Sequence, residues 1–364
     1  MPELVVLAEQ LLAPVPGGTG RYTSELLRAL AETAPPGWTV SSVVARHTGV
    51  GAVEDAVVEG VEGPRVLPIP PRALIAAWQL GLPWWPGGDA VHAPTPLAPA
   101  RVPKGRTLSV AVHDTVPWTH PETLTPRGVA WHKAVIARAA SRATALTVPT
   151  QAIADQLAAL VPVSVPVRVI PHGVRPHAEF AEVAVPERYV LAIGTIEPRK
   201  GIDVLIEAAG RIGVPLVLAG QPGWGGIDPV ALAREHGADV RVLGKVSDAE
   251  LAFVLRGASV LAMPSRAEGF GLPLIEAMAA GVPVVHSDVP ALVEVAGGAG
   301  VTVPVGDAQT LADALRGVLD HSEQAAALRD SGLSRSSEFT WQRAASAVWG
   351  LHLRDQFVGS SPRR

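Results

Sequence analysis

The sequence predicts an α/β protein made of two Rossmann-like, doubly wound domains, and three observations carry that expectation. Short apolar runs alternate with helical patterns along nearly the whole chain, the alternation expected of parallel sheets with helices on both faces. Glycine-rich turns follow an apolar run at 14–20 and again at 194–201, each opening a helical pattern, so the second half starts as the first did. The 364 residues suit two domains of ordinary size, each burying its own core.

The elements follow in order. Residues 4–8 read as a buried strand, and the turn at 14–20, with Gly17 and Gly18, opens a helix at about 21–30. A second strand is expected at 39–45, then a loose region to 72 with no firm assignment, then a short helix at 72–80. Trp78, Trp84 and Trp85 are read as local core packing in preference to an acceptor groove or a lipid contact. Strands at 89–92 and 108–112 follow, the latter ending in His113 and Asp114, at the carboxyl end where open sheets bind ligands. Helices at 127–140 and 152–160 flank a strand at 145–148, and a strand from 167 breaks at Pro171 and Gly173. A polar stretch to Pro186 is the linker candidate. The second half gives strands at 189–193, 216–219, 240–243, 258–263 and 283–286, with helices at 229–236, 248–256, 308–319 and 323–331, and a last helix to about 353. The resulting domains are 1–180, 187–340 and a terminal helix at 341–357, with residues 358–364 frayed.

Composition narrows the function classes. Hydrophobic residues make up 48% and charged residues 18%, with a net charge of -4, which excludes a disordered chain and a strongly basic nucleic-acid binder. Without cysteine there are no disulfides, thiolate nucleophiles or cysteine-bound zinc. No stretch approaches the roughly 20 apolar residues that span a bilayer. Residues 1–8 read as a first strand in preference to a signal peptide. The expectation is a soluble, cytoplasmic protein, with peripheral contact at the inner face of the cell membrane left open.

The stretch 263–281 carries the chemistry. A strand gives way to a glycine loop with Glu268, Gly269, Phe270 and Gly271, then to a helix with Leu272 as its expected cap and Pro273 at its first position. The amides of Gly271, Leu272 and Leu274 should face outward at the positive helix end, as an anion site. Glu268 and Glu276 bracket it. A nucleotide sugar uses all these parts: diphosphate on the amides, sugar hydroxyls on Glu268 and ribose hydroxyls on Glu276. Arg199 and Lys200, in the loop that begins at Gly194, place two cations near a helix start, where they oppose the helix dipole and require a compensating partner.

These residues resemble the retaining glycosyltransferases of family 4, whose E-x7-E signature stands here as Glu268 and Glu276. The resemblance covers nearly the whole chain. It implies the GT-B fold, with a cleft between the domains and a last helix returning to the first domain. It also implies that Gly17 and Gly18 lie against diphosphate and acceptor, and that His113 meets the donor sugar. Arg199 and Lys200 would clamp the diphosphate, Glu268 would hold sugar hydroxyls, and Val246 would sit at the base. For His113 a purely structural role is the plainer alternative. The E-P-R-K and P-H-G-V stretches resemble mannosyltransferase-like members, which favours GDP-mannose over UDP-glucose. The expected chemistry is retaining transfer of a hexose to a glycan, glycolipid or other small acceptor, with no metal or cofactor and no nucleic-acid partner. Arg127, Lys133, Arg138 and Arg142 are candidates for a basic face toward an anionic lipid, a solvated face being the commoner outcome. An epimerase or sugar-phosphate synthase on the same architecture, and a non-catalytic nucleotide-sugar binder, remain alternatives. Oligomeric state is not legible.

Overall fold

The computed structural model describes residues 1–49, 51–175, 179–223 and 225–358. Residues 176–178 of the expected linker and 359–364 of the expected frayed end lie outside them. The chain divides into two compact units. The first takes Met1–Thr119, Thr125–Gly173 and the chain from Trp341, and the second takes His120–Leu124 and Val174–Thr340.

The first unit contains β1 (Glu3–Leu7), α1 (Gly17–Glu32), β2 (Thr39–Val44), β3 (Glu62–Val66), α2 (Pro71–Gln79), β4 (Ala90–Ala93), β5 (Thr107–Ala111), α3 (Val116–Thr119), α4 (Pro126–Arg142), β6 (Ala145–Val148), α5 (Gln151–Leu160) and β7 (Val167–Val169). Its sheet has seven parallel strands in the order β3-β2-β1-β4-β5-β6-β7. In the central strands Leu4, Val5, Val6, Val91 and Val110 are fully buried, which is why these segments read as unbroken apolar runs. Trp78 is buried in this core and Trp84 and Trp85 pack on it, as the packing reading expects. The first helix starts at Gly17, not near residue 21, so Gly17 and Gly18 form its first turn. The loop ahead is pinned by Gln10, whose side-chain amide donates to the Pro16 carbonyl at 3.1 Å, and the Gly20 amide already closes onto Pro16 at 2.9 Å.

The second unit contains β8 (Val190–Ile193), α6 (Ile202–Ile212), β9 (Leu216–Ala219), α7 (Pro229–His236), β10 (Val240–Gly244), α8 (Asp248–Gly257), β11 (Val260–Met263), α9 (Leu272–Ala279), β12 (Val284–Ser287), α10 (Pro290–Ala296), β13 (Val301–Val303), α11 (Ala308–Asp320) and α12 (Ser322–Ser336). Six parallel strands run in the order β10-β9-β8-β11-β12-β13. The order reverses between β8 and β11. Ligands bind at such a switch point in open sheets, and the loops leaving both strands carry the predicted charged residues.

The final helix, α13 (Trp341–Val358), belongs to the first unit. Trp349 is 2% exposed, meets Trp38 edge-on at 5.4 Å, and donates its indole N–H to the Leu30 carbonyl at 3.2 Å. Gln342 donates to Glu32 at 3.1 Å. Trp349→Ala is expected to lower the stability of this unit by about 3–5 kcal/mol, the range for truncating a packed aromatic. Chemical denaturation followed by a probe in the first unit measures it; a loss below about 1 kcal/mol would show that α13 is only loosely docked.

Candidate active site

Glu268 is the centre of a charged cluster in the second unit. Its side chain is 8% exposed and accepts from the Lys200 ammonium at 2.6 Å and the Ser265 hydroxyl at 2.8 Å. The Arg199 guanidinium stands 3.7 Å from its other oxygen. Burial pushes the Glu268 carboxyl up, but the charges of Lys200 and Arg199 and the hydrogen bonds from Lys200 and Ser265 outweigh it, holding the group below its ordinary range. It is a carboxylate at neutral pH. Ser265, which the sequence reading did not single out, is itself fixed because its carbonyl accepts from Ser287 at 2.5 Å.

Arg199 and Lys200 lie in a 3-10 turn, Pro198–Lys200, ahead of α6. The compensation that two cations require here comes from Glu268 and from Glu197, which accepts from Arg199 at 2.5 Å. Arg199 also donates to the Ala267 carbonyl at 3.0 Å, so its fork is bound within the protein and does not stand open. Gly201 follows at φ +67°, and a Cβ there would lie 2.1 Å from the Pro264 carbonyl oxygen, so only glycine lets the two loops approach this closely. Gly194 lies at the start of the same loop, with its Cβ direction 3.6 Å from the Lys200 side chain.

The helix after Glu268 differs from the expected one by a residue. Gly271, not Leu272, is the N-cap, at φ +87°, and Leu272 is the first helical residue. The left-handed conformation of the cap at φ +87° favours glycine at Gly271, and a Cβ there would also displace the Leu292 side chain. The Leu274 amide donates back to the Gly271 carbonyl at 2.9 Å, so it does not join the outward-facing set. Gly271 and Leu272 are left as the amides ahead of the first intrahelical bond, since Pro273 has none. Phe270 turns inward, 3% exposed, with its ring edge-on to Phe339 at 5.6 Å, so its side chain is a packing group. Glu276 is 8% exposed on α9, and Val246 is half-buried after β10. Arg199 also lines a small hollow with His120, Thr123, Glu197 and Arg266.

In the first unit, Gly17 and Gly18 are exposed at the start of α1. His113 is half-buried and donates from Nε2 to the Pro94 carbonyl at 2.7 Å, which fixes its neutral tautomer with Nδ1 unprotonated. Tyr22 meets it edge-on at 4.7 Å, and His172 at 5.3 Å. His172 in turn stacks on Trp341 at 6.2 Å. A buried polar chain runs on from there: Tyr22 hydroxyl to His92 at 3.4 Å, His92 to Ser109 at 2.8 Å, Ser109 to His352 at 2.9 Å, and His352 to Thr107 at 2.7 Å. Burial lowers His113 despite the Pro94 carbonyl and Asp114, and drives His172 well below the usual imidazole value. His92 and His352 are each brought to about 3, chiefly by burial. None of these residues other than His113 was legible as a site candidate, because the contacts join distant segments.

The basic-face candidates all lie on α4. Arg138 donates to the Gln79 carbonyl at 2.7 Å and Lys133 lies over the Trp118 ring at 5.8 Å, while Arg127 and Arg142 are exposed. Among the described residues no group of three or more histidine or acidic side chains converges to hold a metal ion, and no helix is long and apolar enough to cross a membrane.

Residues 16–178 match the family model described as Glycosyltransferase Family 4, and residues 177–335 match that described as Glycosyl transferases group 1. The chain thus carries these two glycosyltransferase domains in succession, which together take in residues 16–335. O-antigen chain mannosyltransferase B of Escherichia coli is 38% identical over 168 residues, covering 43% of this chain and 44% of that protein. Phosphatidyl-myo-inositol mannosyltransferase of Mycolicibacterium smegmatis is 35% identical over 224 residues, covering 53% of this chain and 55% of that protein. The chain spans about half the length of these curated relatives. Among solved structures, sucrose-phosphate synthase from Thermosynechococcus elongatus superposes with a TM-score of 0.73 at 22% identity over 99% of this chain and 100% of that one. Anabaena HepE in complex with UDP and glucose gives 0.71 at 17% identity over the same shares, 99% and 100%. These likenesses establish the GT-B fold.

The histidine cluster sets a pH dependence. Histidines whose folded values lie below the unfolded one, about 6.5, contribute stability that is fully present above that value and is lost as pH falls below it, because the unfolded chain then binds more protons. His92 and His352, at about 3, each add a slope of up to about 1.4 kcal/mol per pH unit between those limits. The denaturation midpoint of the first unit is expected to fall steadily from pH 7 to pH 4.5, and His352→Gln should make the profile shallower. A profile equally steep in the variant would contradict the assignment of the burial penalty to His352.

Proposed function

We propose that the protein is a retaining hexosyltransferase that takes mannose from GDP-mannose, in preference to glucose from UDP-glucose, and delivers it to a glycan, glycolipid or other small acceptor. The observation that carries the reading is the buried Glu268 carboxylate held between Lys200 and Arg199, beside the start of α9. The mannosyltransferase names of two curated relatives favour mannose, while other relatives, such as the D-inositol 3-phosphate glycosyltransferase of Mycolicibacterium smegmatis, 36% identical over 177 residues, have names that specify no mannose. HepE, in complex with UDP and glucose, supplies the competing donor to be tested. The first domain would bind the acceptor and the second the donor, in the cytoplasm or at the inner face of the membrane.

The proposed chemistry follows from charge. The anomeric centre becomes cationic and the leaving diphosphate gains negative charge in an oxocarbenium-like transition state. Lys200 is a compact ammonium with three donors, so it can take a phosphate oxygen while keeping Glu268. Arg199, fastened by Glu197, supplies fixed positive potential in the same place, which costs no reorganisation during transfer. The amides of Gly271 and Leu272, after Gly269, receive diphosphate at the helix end, and Gly17, Gly18 and Gly194 allow close backbone approach. Glu268 holds sugar hydroxyls and faces the developing cation, Glu276 holds ribose, Val246 borders the base, and His113 meets the sugar. The leaving phosphate oxygen takes the acceptor proton on the face it departs from. This reading assigns no step to a metal.

A panel of nucleoside-diphosphate sugars with candidate acceptors tests the proposal. The expected outcome is diphosphate release only when acceptor is present, fastest with GDP-mannose, with the anomeric configuration retained in the product. Release that does not depend on acceptor, or conversion of the donor to an epimer, would overturn it. Lys200→Ala is expected to lower turnover by about 100–1,000-fold, the usual cost of losing one charge-stabilising donor. Calorimetry separates the two glutamates: Glu276→Ala should weaken free diphosphate and intact donor alike, whereas Glu268→Ala should leave diphosphate affinity nearly unchanged and reduce turnover. Equal losses of affinity in the two variants would reverse the assignment.

A further inference from the structure

Arg266 and Asp203 have no part in the proposed reaction, yet they form a two-pronged ion pair in the second unit. The guanidinium donates to both Asp203 oxygens, at 2.8 and 2.7 Å, and again to the Pro198 carbonyl. The Arg266 amide donates to the Arg199 carbonyl at 2.7 Å. We infer that Arg266, clamped by Asp203, is a positioning residue that fixes the Glu268 loop against the Arg199–Lys200 loop.

The two loops leave neighbouring parallel strands, β8 and β11. The catalytic assignments sit on both, so their mutual register decides whether Lys200 and Arg199 meet Glu268. Asp203 lies in the first turn of α6, a helix whose Ile202, Leu205, Ile206 and Ala208 are buried in the core. That makes it a rigid anchor. From this anchor the planar fork of Arg266 reaches the carboxylate with two parallel bonds and the Pro198 carbonyl with a third contact, two residues before Glu268. A lysine has a compact ammonium and cannot reproduce the two-pronged geometry. Partial burial pushes the Asp203 carboxyl up, but the hydrogen bonds and charge of Arg266 outweigh it and hold the group below its ordinary value, so the clamp persists at neutral pH. Arg266 therefore acts on catalysis through the place it gives Glu268.

The inference rests on the proposed transfer reaction, and two separate readouts keep their fates distinct. Arg266→Lys, Asp203→Asn and the double variant are assayed as full-length protein with the donor and acceptor used by the wild type. Each single variant should lower kcat about tenfold, with donor KM and nucleoside-diphosphate Kd within about twofold of wild type, and the double should be no slower than the worse single. The second readout is independent of transfer: carboxyl NMR of 13C-labelled glutamate should show Glu268 titrating at higher pH in both singles, as its cations drift. Unchanged kcat together with an unchanged Glu268 titration, or losses that add in the double variant, would overturn the inference. If the wild type transfers no hexose, the functional reading fails and the carboxyl titration alone decides the brace. If Arg266→Lys does not fold, Asp203→Asn carries the test.

Discussion

A carboxylate taken out of water is tolerated only where cations and donors meet it, and in the second unit everything near the switch point of the sheet is arranged around that requirement. Glu268 receives Lys200, Ser265 and the field of Arg199, and Arg199 is in turn received by Glu197. Two positive side chains near a helix start would by themselves oppose the dipole. With the two glutamates they become a charge-balanced cluster spanning two loops. The close approach of those loops depends on Gly201, where any side chain would strike the Pro264 carbonyl, and on the Asp203–Arg266 clamp behind them. The same cluster that satisfies a buried acid is suited to a diphosphate leaving group, because an anion arriving at Lys200 meets positive potential that is already in place.

The first unit solves a different problem. His92, His113, His172 and His352 are set among aromatic rings and hydroxyls, where burial disfavours the charged imidazole. The path from Tyr22 through His92 and Ser109 ends on His352 of the last helix, so α13 is joined to the sheet by polar bonds as well as by Trp349. His113, at the end of β5, is oriented by Pro94, Tyr22 and His172 and keeps an unprotonated Nδ1. These are the properties of a ring that accepts a hydrogen bond and does not act as a cation.

Much of this was legible in the sequence where local pattern dominates. The strands at 145–148 and 216–219 and the helix at 229–236 were read with the observed bounds, because apolar runs between turn residues leave little choice. The strand Glu62–Val66 was missed: it is an exposed edge that contains Gly63 and Pro64, tolerated because an edge strand can spare an N–H. The strand Val301–Val303 and the helix Pro290–Ala296 were too short to declare a period. The start of α9 slipped by one residue because proline marked the helix, whereas the left-handed turn at Gly271 sets its boundary. In the site, Arg199, Lys200 and Glu268 were readable as charge that needed a partner. Asp203 and Arg266 were not, since their roles depend on a contact between segments more than 60 residues apart in the chain, and Ser265, three residues from Glu268, is a neutral loop residue that carries no charge or periodicity to mark it.

The central claim is that Lys200 and Glu268 are one electrostatic unit, in which the buried carboxylate is tolerated because the ammonium meets it. A double-variant cycle on folding stability tests it most directly, with Lys200→Met, Glu268→Gln and both together measured by chemical denaturation at pH 7. Lys200→Met strands a buried carboxylate and should cost up to about 3 kcal/mol, and adding Glu268→Gln should recover most of that loss, because no charge is then left behind. A double variant less stable than Lys200→Met alone, with the two losses simply adding, would contradict the account.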